Sequence, residues 1–416
     1  MIRREILKEV LLDNRNEVVK HQVIPRSFQF EEFGNYVFVG IRRAGKSFLL
    51  YQRIQELLHN GHTWNEMLYV NFEDERLIGM TAADLNLILE VHAEMSTDRP
   101  MLFLDEIQNI DGWDKFVRRL ADNKYRAYVT GSNAKMLSQD VATTLGGRYI
   151  YDFKEFLYAN GVEVTENSLF ATESRAEIKR IFNDYFRSGG FPEGASLAAK
   201  RDYLTSVYQK IYLGDIAARH SIENTFALRI LFRKLAESIK QPVSFTRITN
   251  IVASTGVKIS KNTVINYMEY AKDACLLIPI QNIADKLVER ETNPKYYFAD
   301  NGILNLLLLD ADTSLLENLV AVTLLRRYGT DDAVFFYNRN VEVDFYLPDT
   351  GVAIQVCYTM NLSDETFQRE VQALVKLNKV FECRQLLIIT YDDEERIELE
   401  KCAIEVIPVW KWLLGK

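Results

Sequence analysis

A chain of 416 residues is too long for a single hydrophobic core, since domains run to roughly 150 residues. With 48% apolar and 26% charged residues, 8 prolines and 19 glycines, it has the composition of a globular protein, which excludes disorder, collagen and low-complexity sequence. A formal net charge of -8 excludes a protein that coats nucleic acid through global charge, so any DNA contact has to be local.

The first 22 residues alternate charges with Ile, Leu and Val at helical spacing, which predicts an amphipathic leading helix. Charges interrupt its apolar positions, so it has no signal-peptide core. No apolar run approaches the ~18 residues that span a bilayer, and a cytoplasmic protein away from the membrane is expected. YVFV at 36–39 reads as a buried strand, and strand-like runs recur between helical stretches at 67–72, 101–104 and 126–131. That alternation implies a parallel sheet covered on both faces. Residues 155–240 read as helices broken at SGGFPEG, 188–194, where clustered Gly and Pro force a turn. Helix-like segments at 226–240, 245–253 and 260–273, followed by CLLIPIQ and KYYFAD, have the order of a winged helix. From about 312 a helix, three strands, a helix over 364–380 and the strand QLLIIT form a further α/β block. Four domains follow: a parallel α/β core over 1–154, a helical lid or bridge over 155–225, a winged-helix-like domain over 226–300, and an α/β domain over 301–416. The four cysteines, Cys275, Cys357, Cys383 and Cys402, form no CxxC pair and meet no histidine at zinc-ligand spacing, so no structural zinc is expected.

Gly40–Ser47 spells GIRRAGKS, the GxxxxGK[ST] pattern of a phosphate-binding loop, and it sits where such a loop must: after a buried strand and at the start of an amphipathic helix. Backbone N–H groups of such a loop wrap phosphates and the helix N-terminus adds a favourable dipole. Gly40, Arg43, Ala44, Gly45, Lys46, Ser47 and Phe48 are therefore candidate ATP contacts. Lys46 would reach the β and γ phosphates, and the Ser47 hydroxyl would bind Mg²⁺. MLFLDEIQ at 101–108 carries four apolar residues into Asp105 and Glu106, a Walker B arrangement in which Asp105 holds Mg²⁺ and Glu106 polarises the attacking water. The next strand ends in VTGSNA, offering Ser132 or Asn133 as a sensor of the γ-phosphate; the choice between them stays open. Arg148 in LGGRY is a candidate for charge on the transferring phosphoryl group, in cis or, in a homo-oligomer, in trans.

GIRRAGKS, LDEIQ, TGSNA, LGGRY, GGFPE, NTVINYMEYAKDACLLI and KYYFADNGI together resemble the AAA-type ATPases of bacteria and archaea that carry a C-terminal domain of unassigned function. The resemblance runs over nearly the whole chain. It implies an α/β fold in which an AAA-like P-loop NTPase sheet is followed by a helical lid, a winged helix and a restriction-endonuclease-like domain.

Between 225 and 290 there are ten Lys or Arg against five Asp or Glu. A recognition helix there would turn Lys258, Lys261, Asn262, Thr263 and Asn266 outward and Val264, Ile265 and Met268 to the core. Double-stranded DNA and a protein client both fit a winged helix as partners, and both readings stay open. In the terminal domain Asp344 of EVDF stands on a strand as nuclease metal ligands do. However, Gln355 replaces the second carboxylate and Cys357 the lysine, leaving Glu317 and Asp344 as the acids in place. An inactive domain is expected. The leading reading is a Mg²⁺-dependent ATPase whose nucleotide state rearranges the C-terminal domains; the alternatives are an ATP-dependent nuclease and an ATP-binding scaffold without turnover.

Overall fold

The computed structural model describes residues 2–26, 28, 30–31, 34–132, 143–146, 150–329, 332–360, 365–400 and 402–415. The chain divides into two compact units, Met1–Ile150 with Asp273–Cys275, and Tyr151–Lys272 with Leu276–Lys416.

In the first unit, helix α1 (Arg4–Lys20) precedes five strands: β1 (Tyr36–Val39), β2 (Met67–Asn71), β3 (Met101–Asp105), β4 (Ala127–Gly131) and β5 (Thr143–Gly146). They form one sheet in the order β2-β3-β4-β1-β5, parallel throughout. Both faces are buried, which is why the strands read as unbroken apolar runs. Val37, Val39, Leu68, Val70, Leu102, Leu104 and Val129 share one core with Leu7, Val10 and Leu11 of α1. The alternate residues Tyr36, Phe103 and Tyr128 stack instead, Phe103 on Tyr128 at 4.6 Å and 4°. Helix α2 (Lys46–His59) leaves the loop after β1. Strand β5 lies in the TTLG segment, where no strand was expected; a four-residue run with two threonines and a glycine carries no apolar periodicity.

The second unit begins with helices at Phe153–Ala159, Thr172–Ser188, Lys200–Gln209, Thr225–Glu237, Phe245–Ser254 and Lys261–Asp273. The last is amphipathic as its sequence requires: Val264 and Met268 are buried, Ile265 is half-buried, and Lys261, Asn262 and Asn266 are exposed. Eight strands follow: β6 (Leu277–Asn282), β7 (Lys295–Phe298), β8 (Phe335–Asn338), β9 (Glu342–Leu347), β10 (Val352–Val356), β11 (Gln385–Thr390), β12 (Glu395–Glu398) and β13 (Ala403–Pro408). They make one mixed sheet, β12-β13-β11-β10-β9-β8-β6-β7. Because β6 pairs with β8 at Gln281–Phe335 and Asn282–Phe336, the sheet crosses the domain boundary expected at 300/301. The two strands assigned to a winged helix thus share a sheet with the terminal α/β block, a long-range pairing that local periodicity does not carry.

The GGFPE and ADNG motifs meet in one buried latch. Asp300 accepts hydrogen bonds from the backbone N–H of Gly190 at 2.8 Å and of Gly302 at 2.7 Å, and Asn301 donates to the carbonyls of Phe186 and Leu315. Burial pushes the Asp300 carboxyl up to about 6, against the pull of those N–H groups and of Arg326. Gly189 has φ +72°, and a Cβ there would overlap the Asp300 carboxylate; one at Gly302 would overlap the Ser188 carbonyl. Gly189→Ala is expected to lower stability by roughly 2–4 kcal/mol, from backbone strain plus overpacking, in a urea melt. An unchanged midpoint would show that the latch yields.

Candidate functional site

The loop between β1 and α2 is built on left-handed backbone: Arg43 has φ 61° and Gly45 φ 91°. Gly45 supplies that conformation freely, whereas Arg43 carries strain, a cost that concentrates at functional sites. The Gly40 N–H donates to Gly131 O at the end of β4, and the Ala44 N–H closes the turn on Ile41 O. Lys46 opens α2 only 3% exposed, with Nζ donating to Gly40 O at 3.1 Å and Ile41 O at 3.2 Å. The Phe48 ring lies 5.4 Å from His21 and from Tyr51, in a small aromatic group beside the loop.

Strand β4 lies between β1 and β3, so the loop and the acidic pair Asp105–Glu106 emerge at the same sheet edge. Asp105 is 1% exposed and accepts hydrogen bonds from Ser47, from Tyr69 OH at 2.9 Å and from Thr130 Oγ1. Burial first, then the neighbouring Glu106 charge, pushes its carboxyl up to about 6, against the pull of those hydrogen bonds. Glu106 has φ 52° and its N–H donates to Thr130 Oγ1 at 2.9 Å, so one threonine ties both acids to β4. Glu106 Oε1 stands 3.6 Å from Lys46 Nζ. Ser47, Asp105, Lys46 and Glu106 thus converge. The hydroxyl and carboxylate of Ser47 and Asp105 are hard oxygen donors in mutual contact, and they fit a divalent cation beside a phosphate chain.

Ser132 is buried and reaches Glu106 through Gln108, whose Nε2 lies 3.3 Å from Ser132 Oγ. Asn133 and Arg148 lie outside the described residues. Sequence reasoning missed Thr130, Tyr69 and Gln108. The first two lie on neighbouring strands and meet Asp105 only through the sheet order, whereas Gln108, inside LDEIQ, was open to notice.

A second polar cluster occupies the sheet of the other unit, at a cavity of about 720 Å³. The Lys295 ammonium on β7, with no exposed surface, stands 3.5 Å from Glu317, 3.0 Å from Glu342 and 3.6 Å from Asp344. Burial opposes its charge, but the three carboxylates outweigh it and hold the ammonium above its ordinary range. Burial first, then the Glu317 charge, pushes the Asp344 carboxyl up to about 7 as well, against the pull of Lys295. Gln355 accepts from the Asp344 N–H and donates to Glu342 O and to the Glu370 carboxylate. The expectation that this site has no cation and only two acids is therefore corrected: Lys295 arrives from a strand outside the motif, and Glu342 and Glu370 add carboxylates. Among the described residues no set of three or more His, Cys, Asp or Glu is arranged to hold a metal ion. Lys295→Met would strand buried carboxylates and should cost roughly 3–5 kcal/mol in a urea melt. A loss below 1 kcal/mol would mean that the acids neutralise themselves by taking up protons.

These features define an AAA-type P-loop ATPase fold, and the profile of a family described as an AAA domain matches residues 33–158. A domain of unknown function matches 179–315. The uncharacterized protein MJ1544 of Methanocaldococcus jannaschii is 35% identical over 437 residues, covering 100% of this chain and 96% of its own. An uncharacterized protein of Haemophilus influenzae is 30% identical over 393 residues, covering 91% and 94%. The chain belongs to the family of these two proteins. Among solved structures it is similar to the Walker-type ATPase PABY2304 of Pyrococcus abyssi, at 14% identity, TM-score 0.40, with 74% of this chain and 96% of that one covered. The RuvB Holliday junction branch migration motor of Thermotoga maritima aligns at 17% identity, TM-score 0.28, covering 66% and 87%. No helix among the described residues is long and apolar enough to cross a membrane.

Proposed function

We propose that the protein binds ATP with Mg²⁺ at Gly40–Phe48 and hydrolyses it. The observation that carries this reading is the convergence of Lys46, Ser47, Asp105 and Glu106 at one edge of a parallel sheet, with Lys46 Nζ 3.6 Å from Glu106 Oε1. Mg²⁺, when bound by Ser47 and Asp105, supplies charge neutralisation on the phosphate oxygens. Lys46, held by loop carbonyls, offers its ammonium to the β and γ phosphates. Glu106 takes a proton from the attacking water as general base. Ser132 or Asn133 senses the γ-phosphate, and Arg148 stabilises phosphoryl charge in cis or across a homo-oligomer. Hydrolysis that requires Mg²⁺, stops in EDTA and disappears in Lys46→Ala is the test; absence of Mg²⁺-dependent phosphate release would leave only a nucleotide-binding scaffold.

Nucleotide state then acts on the second unit, read as a helical lid, a winged helix and a restriction-endonuclease-like domain engaging DNA or a protein client. Its terminal cluster is inactive as a nuclease on this reading, because the buried Lys295 ammonium stands within 3.6 Å of Glu317, Glu342 and Asp344, where it competes with any cation for the same carboxylates. Plasmid and linear DNA should survive incubation with Mg²⁺ or Mn²⁺ and ATP. DNA affinity, resting on the basic 225–290 segment, should fall steeply with salt and be lost in Lys258→Glu with Lys261→Glu. Cleavage abolished by Asp344→Ala would overturn the first expectation, and salt-independent binding by the double variant the second.

A further inference from the structure

Glu106 is gripped at both of its carboxylate oxygens. Oε1 faces the Lys46 ammonium at 3.6 Å, and Oε2 accepts a hydrogen bond from Gln108 Nε2. The same Nε2 lies 3.3 Å from Ser132 Oγ, so one amide joins the acid that follows β3 to the serine that follows β4. The orientation of the amide follows from chemistry: an ionised carboxylate only accepts, so the NH₂ group must face it. Gln108 Oε1 is consequently turned into the protein, where it is buried without a hydrogen-bond partner. An orphaned buried acceptor is costly, so the two contacts at Nε2 are what hold the amide in this orientation. The Glu106 main chain is also constrained, with φ 52° and its N–H on Thr130. Thr130 therefore fixes the backbone of the acid and Gln108 its side chain.

We propose that Gln108 is a positioning residue for ATP hydrolysis: by holding Oε2 of Glu106 and bridging to Ser132, it aims Oε1 at the phosphate loop. This rests on the reading of the site as a hydrolase. One donor tied to Ser132 holds the carboxylate with its other oxygen facing Lys46. A general base gains from such fixing because misplacement by about 1 Å costs on the order of 100-fold in rate. Ground-state nucleotide binding, which depends on the loop and Lys46, does not pass through Gln108.

The test compares Gln108→Met, which keeps the volume without a donor, and Gln108→Glu, which keeps the shape but repels Glu106. Single-turnover ATP hydrolysis and affinity for a fluorescent ATP analogue are measured with Mg²⁺. Both variants should lose about 10- to 100-fold in rate while analogue affinity stays within about twofold, and the melting temperature of Gln108→Met should not fall. In a Glu106→Gln background, Gln108→Met should produce no further loss, because the group it positions is already disabled. Wild-type-like turnover by Gln108→Met, or an equal further loss in the Glu106→Gln background, would overturn the proposal while wild-type hydrolysis stands. A wild-type protein without turnover would instead remove the hydrolase reading and this inference with it.

Discussion

Glu106→Gln is expected to bind ATP with nearly unchanged affinity and to hydrolyse it about a thousandfold more slowly, the scale of a lost general base. The substitution keeps the shape and leaves Gln108 an oxygen to donate to, but an amide cannot take a proton from water. It also removes the negative charge 3.6 Å from Lys46, while the ammonium keeps the Gly40 and Ile41 carbonyls, so analogue affinity should not fall. A filter-binding assay and single-turnover phosphate release measure the two quantities on the same preparation. Turnover at the wild-type rate would assign the base elsewhere, whereas joint loss of binding and turnover would make Glu106 a structural counter-ion for Lys46.

Lys46→Ala should weaken nucleotide binding by about a hundredfold or more, since charge-assisted hydrogen bonds contribute ~1.5–3 kcal/mol each and the lysine would make them to two phosphates. The side chain is buried, and its loss leaves Glu106 without its ion-pair partner, so a modest fall in melting temperature should accompany the loss of affinity. Lys46→Arg should not restore binding, because a planar guanidinium does not fit the space that a compact ammonium occupies between two loop carbonyls. Titration with a fluorescent ATP analogue, alongside a circular-dichroism melt showing cooperative unfolding, checks both parts. Wild-type affinity in a folded Lys46→Ala protein would place the nucleotide elsewhere.

Local chemistry was legible from the chain. Four apolar residues before Asp105 made a buried strand, GIRRAGKS fell in a loop between a strand and an amphipathic helix, and the apolar spacing of 261–273 separated its core side from its solvent side. Each of these signals lies within about a dozen residues, the range over which periodicity and turn chemistry act. What lay beyond that range was decided by the sheets. The order β2-β3-β4-β1-β5 puts Thr130 and Tyr69 on Asp105, and no spacing in the sequence encodes which strands become neighbours. The pairing of β6 with β8 carries the second sheet across residue 300 and delivers Lys295 to carboxylates on β9 and on the helix at Asp312–Tyr328. Gly189 and Asp300 were each readable, one as a turn and one as part of a motif, but their union required the tertiary fold. The residue types and local conformations were therefore determined by the sequence by itself. The charge balance of both polar clusters was decided only by tertiary structure, because a buried ionic group takes its partners from whichever strands and helices the fold packs against it.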